Sequence, residues 1–170
     1  MALAAVALAA AVGAVAGYVL TGVATGGVTL HDNSGTLAVT VPRDWSGHTS
    51  TRAWRLPDSS TARPSLLAST APGWAEEPST AHGVFVALLP GEDLPTQLPA
   101  HPECAEAGDL VEQSVTGSGS LTTTFTDCPG GNVVLERVVE VDDDELLWVQ
   151  VRADDRAEAV DVADTARAGS

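Results

Sequence analysis

Four short runs near the end of the chain constrain its fold more than any other feature. Residues 109–116, 121–127, 133–141 and 146–153 each read as a strand, separated by the turn signals GSGS, CPGGN and DDDE. Links this short join neighbours, so the sequence predicts an antiparallel meander. A helix follows, with Asp155 placed to cap it, Glu158 to reach back, and Ala159, Val162, Ala163 and Ala166 on one narrow stripe.

Upstream, Gly83-Val84-Phe85-Val86-Ala87-Leu88-Leu89 is an unbroken apolar run between Gly and Pro, which suits a central strand covered on both faces. Leu37, Val39 and Val41 alternate with Thr36, Ala38 and Thr40, the period of a half-buried strand, and Pro42 ends it because proline has no amide hydrogen to donate. HDNSG before that strand is dense in turn formers. Residues 53–56 fit a second short strand, 65–74 one or two helical turns stopped by Pro72-Gly73, and 90–108, with four prolines, a long loop.

The first thirty residues carry no charge and are built almost wholly from Ala, Val, Leu and Gly. About twenty such residues span a bilayer core as a helix. A membrane helix is the expectation; a cleaved signal peptide, whose apolar core is shorter and follows positive charge, and a buried soluble helix are the alternatives. The chain then divides into a transmembrane helix or uncleaved signal anchor at 1–27, a spacer at 28–34 and an extracytoplasmic domain at 35–168. The fold class expected is α+β: that helix, then a mainly antiparallel sheet flanked by helices.

Of 170 residues, 23 are acidic and 8 are arginine, with no lysine, for a net charge of −15. Such a surface repels phosphate backbones, which excludes nucleic acid as a partner. Cys104 and Cys128 are the only cysteines and lack Cys-x-x-Cys spacing. Outside the cytoplasm a disulfide is the simplest use for them; a metal site and two free thiols are the alternatives.

Signals for chemistry are thin. His31, His48, His82 and His101 all fall in expected turns or loops, where solvation is the usual fate of a histidine, and no serine sits in a Gly-x-Ser-x-Gly elbow. Asp142-Asp143-Asp144-Glu145 gathers four carboxylates at a hairpin tip, able to hold calcium weakly or simply to discourage edge aggregation. Trp45, Trp54, Trp74 and Trp148 could stack sugars but more often pack a core, and Trp148 alternates with Leu147 and Val149. No catalytic, metal or cofactor-binding residue is assigned, and no cofactor is expected.

The order SGTLAVTVPRDW, a Gly-Val-Phe-Val strand, Cys104 and Cys128 with Phe125 between them, LLWVQV and a closing acidic helix resembles an actinobacterial extracytoplasmic module. That module lies C-terminal to a single membrane helix in receptor-type serine/threonine kinases and trypsin-like proteases, and the likeness covers roughly residues 28–168. It implies a Mog1/PsbP-like α/β sandwich in which an early strand ends in a Pro-x-x-Trp turn, here Pro42 and Trp45. Kinase signatures and a lipobox cysteine are absent. Pro42, Trp45 and Trp148 are therefore expected to be structural. The function expected is a membrane-anchored, non-enzymatic sensing or interaction domain at the cell surface, with a cell-envelope or protein ligand, standing alone or as the tail of a larger receptor. A small envelope hydrolase and an accessory or assembly protein are the alternatives.

Overall fold

The computed structural model describes residues 26–56, 60–76, 78–115 and 118–169. Along the chain run β1 (Val28–His31), β2 (Leu37–Val41), β3 (His48–Ser50), β4 (Ser65–Ser69), β5 (Gly83–Pro90) and β6 (Glu106–Ala107). Then come β7 (Val111–Val115), β8 (Ser118–Cys128), β9 (Asn132–Asp142), β10 (Glu145–Ala153), α1 (Arg156–Thr165) and β11 (Arg167–Ala168). Eight strands make one sheet in the order β3-β4-β5-β10-β9-β8-β6, with β7 also on β8, and β1-β2-β11 make a second, smaller one. Every pairing is antiparallel.

The expected meander is present as β7-β8-β9-β10, and the apolar run of β5 is a central strand between β4 and β10. Alternation decides which side chains meet. Val84, Val86 and Leu88 of β5, Leu147, Val149 and Val151 of β10, Leu135 of β9 and Leu66 of β4 share one face of the large sheet. Leu37, Val39 and Val41 of β2, Trp45, and Ala159, Val162 and Ala163 of α1 close over them as a single core. Each Val or Leu so buried stabilises the fold by about 1.5–3 kcal/mol relative to exposure.

Local chemistry fixes the joints. Pro42 ends β2, and its carbonyl accepts from the Trp45 amide at 3.1 Å in a short 3-10 turn, which folds the indole under the sheet at 1% exposure. The Asp155 carboxylate accepts from the Glu158 amide at 2.9 Å, while Glu158 reaches back to the amide of Asp154 at 3.2 Å. Thr165 Oγ1 accepts from the Thr40 amide at 2.8 Å and lies 3.0 Å from the Thr40 carbonyl, clasping α1 to β2. At Gly83 a Cβ would stand 2.6 Å from the Ala68 carbonyl oxygen and 2.8 Å from Trp74 Nε1, so only glycine lets β4, β5 and Trp74 meet.

The α+β expectation, with a transmembrane helix and helices flanking the sheet, is corrected. Among the described residues α1 is the single α-helix, and no helix is long and apolar enough to cross a membrane. The described protein is mostly antiparallel β, with the small sheet and α1 together packing on one face of the large sheet. Residues 65–69, expected to be helical, form β4 because Leu66 and Ala68 alternate into the core beside β5. Of the expected membrane span at 1–27, residues 1–25 lie outside those described. The expected spacer at 28–34 holds β1, paired with β2. Residues 53–56 contribute only the bridge Trp54 to Arg63, and the short strand falls at β3 instead.

Candidate functional site

The face of the large sheet turned away from α1 carries the most concentrated polar chemistry. Strand register places Glu136 of β9 opposite Gln150 of β10, Val138 opposite Trp148, and Val134 opposite Arg152. Phe125 of β8 stands opposite Val134. Segment 91–105 crosses over these side chains and adds His101 and Glu103.

A disulfide between Cys104 and Cys128 holds that segment down. The local chain is shaped for it. The register of β8 shifts between Phe125 and Cys128, Asp127 takes a left-handed φ of 52°, and Gly130 and Gly131 supply φ of 83° and 80° in the turn beyond. These kinks aim Cys128 at the crossing segment, where the Cys104 amide also donates to the His101 carbonyl at 3.0 Å.

His101 has a carboxylate at each ring nitrogen: Nε2 is 2.7 Å from Glu136 Oε1 and Nδ1 is 3.0 Å from Glu103 Oε1. Trp148 Nε1 donates to Glu136 Oε2 at 2.5 Å, and Gln150 Nε2 lies 3.3 Å from His101 Nε2. Arg152 donates to Glu103 Oε1 at 3.1 Å and to the Ser79 carbonyl at 2.6 Å. The His101 ring packs edge-on to Phe125 with centroids 4.8 Å apart. Trp54, Phe85 and Trp148 form an aromatic group beside the cluster, with ring centroids 5.4 to 5.7 Å apart.

With imidazolium at His101 the cluster is neutral, two cations against two carboxylates. Burial disfavours the His101 charge, but its hydrogen bonds to the Glu136 and Glu103 carboxylates, with their charges, outweigh it and raise its pKa. Burial raises Glu136 above the ordinary carboxylate value despite the hydrogen bonds from His101, Trp148 and Gln150. For Glu103 burial is overcome by its own amide, by His101 and by Arg152, so its pKa is lowered.

A histidine between carboxylates is the arrangement of a general base, yet a general base must reach a substrate. Here the His101 side chain is 4% exposed and Glu136 is fully buried. Both ring nitrogens are already engaged. The cluster therefore acts as an internal clasp between the crossing segment and the sheet. No group of His, Cys, Asp and Glu among the described residues is arranged to hold a metal ion.

Of the residues singled out from sequence, Cys104 and Cys128 are joined, and Trp148 joins the cluster from the face opposite Leu147 and Val149. Trp45 lies on the other side of the sheet, in the main core, and Pro42 stands half-buried at the end of β2 just before it. His101, expected to be solvated, is buried; His31 and His48 stand in β1 and β3, and His82 bonds Asn132 at 3.1 Å and Asp154 at 3.2 Å. The carboxylates at 142–145 stay at the exposed or half-exposed hairpin tip between β9 and β10. Glu136 and Arg152 were not anticipated. Their signal was a charge in period-two step with Trp148, which places it on the same face of the sheet.

Openings lie elsewhere. A groove of about 430 Å³ runs along α1 on the opposite face, between Arg156, Val160 and Asp164 of the helix and Thr122, Thr124 and Arg137 of the sheet. A second hollow of about 530 Å³ lies between Pro42 and Val162, rimmed by Asp154, Asp155, Glu158 and Asp161. No protein-family model matches the chain, and no curated protein matches it.

Proposed function

We propose that this protein is an extracytoplasmic, non-catalytic interaction domain, held at the membrane by its apolar N-terminal segment. One observation carries the reading: the disulfide between Cys104 and Cys128 clamps the His101 segment over a buried set of acid-base groups. A disulfide in that position belongs to an oxidising compartment. Groups suited to proton transfer are spent on holding the fold, while grooves and strand edges face outward and are suited to binding. The uncharged first thirty residues support a tether, and the likeness of SGTLAVTVPRDW and LLWVQV to surface modules of single-pass proteins supports the same setting.

The test is compartment and chemistry together. In intact cells a membrane-impermeant maleimide should leave Cys104 and Cys128 unlabelled until a reductant is added, and external protease should reach the domain in the membrane fraction. Reactive thiols in a cytoplasmic fraction would overturn the assignment of compartment. Turnover that His101→Gln abolishes, with melting behaviour otherwise kept, would overturn the non-catalytic reading.

A further inference from the structure

Residues 105–114 are exposed without a break and form the outer margin of the large sheet. β6 and β7 pair inward with β8, and Gly108 between them donates to the Thr124 carbonyl at 2.7 Å. Among the described residues no strand pairs with their outer side. A strand edge of this kind presents a row of backbone donors and acceptors, and proteins blunt such edges because another chain can add to them.

This edge is marked in two ways. Leu110 and Val111 are among the few large apolar side chains left exposed, at 49% and 39%. Glu106, Asp109 and Glu112 stand along it with no lysine or arginine between them. Val111 shares the α1 face with Thr122 and Arg137, while Glu112 projects from the other face beside Leu121.

We propose that β7 is a docking edge for an extended, basic segment of a partner protein, which adds to the sheet as a further antiparallel or parallel strand. Backbone hydrogen bonds supply the pairing, apolar side chains of the incoming strand cover Val111 on the α1 face, and its lysines or arginines meet Glu112 on the other, with Asp109 adding to the negative field at the edge. A second copy of this chain is a poor occupant. It would bring the same three carboxylates against themselves on a molecule of net charge −15. The charges thus discourage self-association and admit a basic strand.

The inference rests on reading the chain as an interaction domain, and its test is separable from the test of compartment because it uses purified full-length protein with the disulfide formed. The probe is a short fluorescent peptide alternating valine with lysine, compared with one alternating valine with glutamate and with a lysine peptide carrying prolines at its centre. Anisotropy should show saturable binding of the lysine peptide, weakened about tenfold or more by the prolines. The double variant Asp109→Lys, Glu112→Lys should weaken it about tenfold and bring the glutamate peptide into the same range. Both positions are exposed, and an unchanged melting curve shows that the variant is folded. Equal binding of the proline peptide would reduce the effect to charge attraction and overturn the strand-addition proposal. An unaffected double variant, or no saturable binding of the lysine peptide, would overturn it equally.

Discussion

Nε2 of His101 lies 2.7 Å from Oε1 of Glu136, a carboxylate with no contact to solvent. Glu136→Leu removes the acceptor shared by His101 and Trp148 and leaves a buried cation and a buried indole N–H unmet. The loss should be about 3–5 kcal/mol in chemical denaturation. In the double variant with His101→Leu the loss should be smaller than the sum of the single losses, which a double-mutant cycle measures.

Stability should fall as the solution turns alkaline. The folded-state pKa of His101 is raised, so its contribution is complete below the unfolded value of 6.5 and is lost as pH rises through the folded value. The groups facing it are the carboxylates of Glu136 and Glu103 and the guanidinium of Arg152, so losing the imidazolium proton removes the cation that the two carboxylates share. Melting temperature against pH should decline above pH 6.5 in the native chain and flatten in His101→Gln. A native profile as flat as that of the variant would refute the linkage.

Asp32 works in the opposite direction. Burial opposes its charge, but the Leu37 amide, Ser34 and Thr36 prevail and lower its pKa. Its contribution is present above the unfolded value of 3.8 and is lost as pH falls through the lower folded value. Asp32→Asn should make the acid limb of the same melting profile shallower.

Cutting the covalent tether should be costly. Cys104 and Cys128 are 24 residues apart, and replacing both by alanine should reduce stability by about 2–5 kcal/mol in denaturant titration. Amide exchange should then quicken first in segment 91–105, ahead of β9 and β10.

Trp45→Ala should cost about 3–5 kcal/mol, because the indole is 1% exposed and leaves a cavity against Leu37, Val39 and Leu66. Asp155→Ala should cost about 1 kcal/mol by removing the α1 cap. Thermal unfolding of the two variants checks this order.

What could be read from the chain follows from how local each signal is. The meander β7 to β10 and the capped helix were legible because alternation, turn residues and a capping aspartate act over a few positions. The edge of β4 was not, since Ser65–Ser69 becomes a strand only through β5 beside it. The polar clasp was least legible. Whether His101 is wet or dry is decided by the path of its segment across three strands; Cys104 nearby signals that the segment is tied down, but not which side chains it covers. Glu136 and Arg152 announced themselves only as charges in period-two step with Trp148, a pattern that becomes meaningful once the face they share is known.

The clasp of Thr165 on Thr40 joins residues 125 positions apart, and β11, at Arg167–Ala168, is the last strand of the small sheet. β5 likewise pairs with β4 early but waits for β10 before its second edge is shared. During synthesis or translocation β1 to β5 can pair among themselves, but the open edges of β2 and β5 stay uncovered until β10 and β11 emerge. Folding should be slow, in the range set by distant pairings. A chain cut short before Thr165 should leave β2 with an open side and be cleared by proteases, although every strand of the large sheet has already been made.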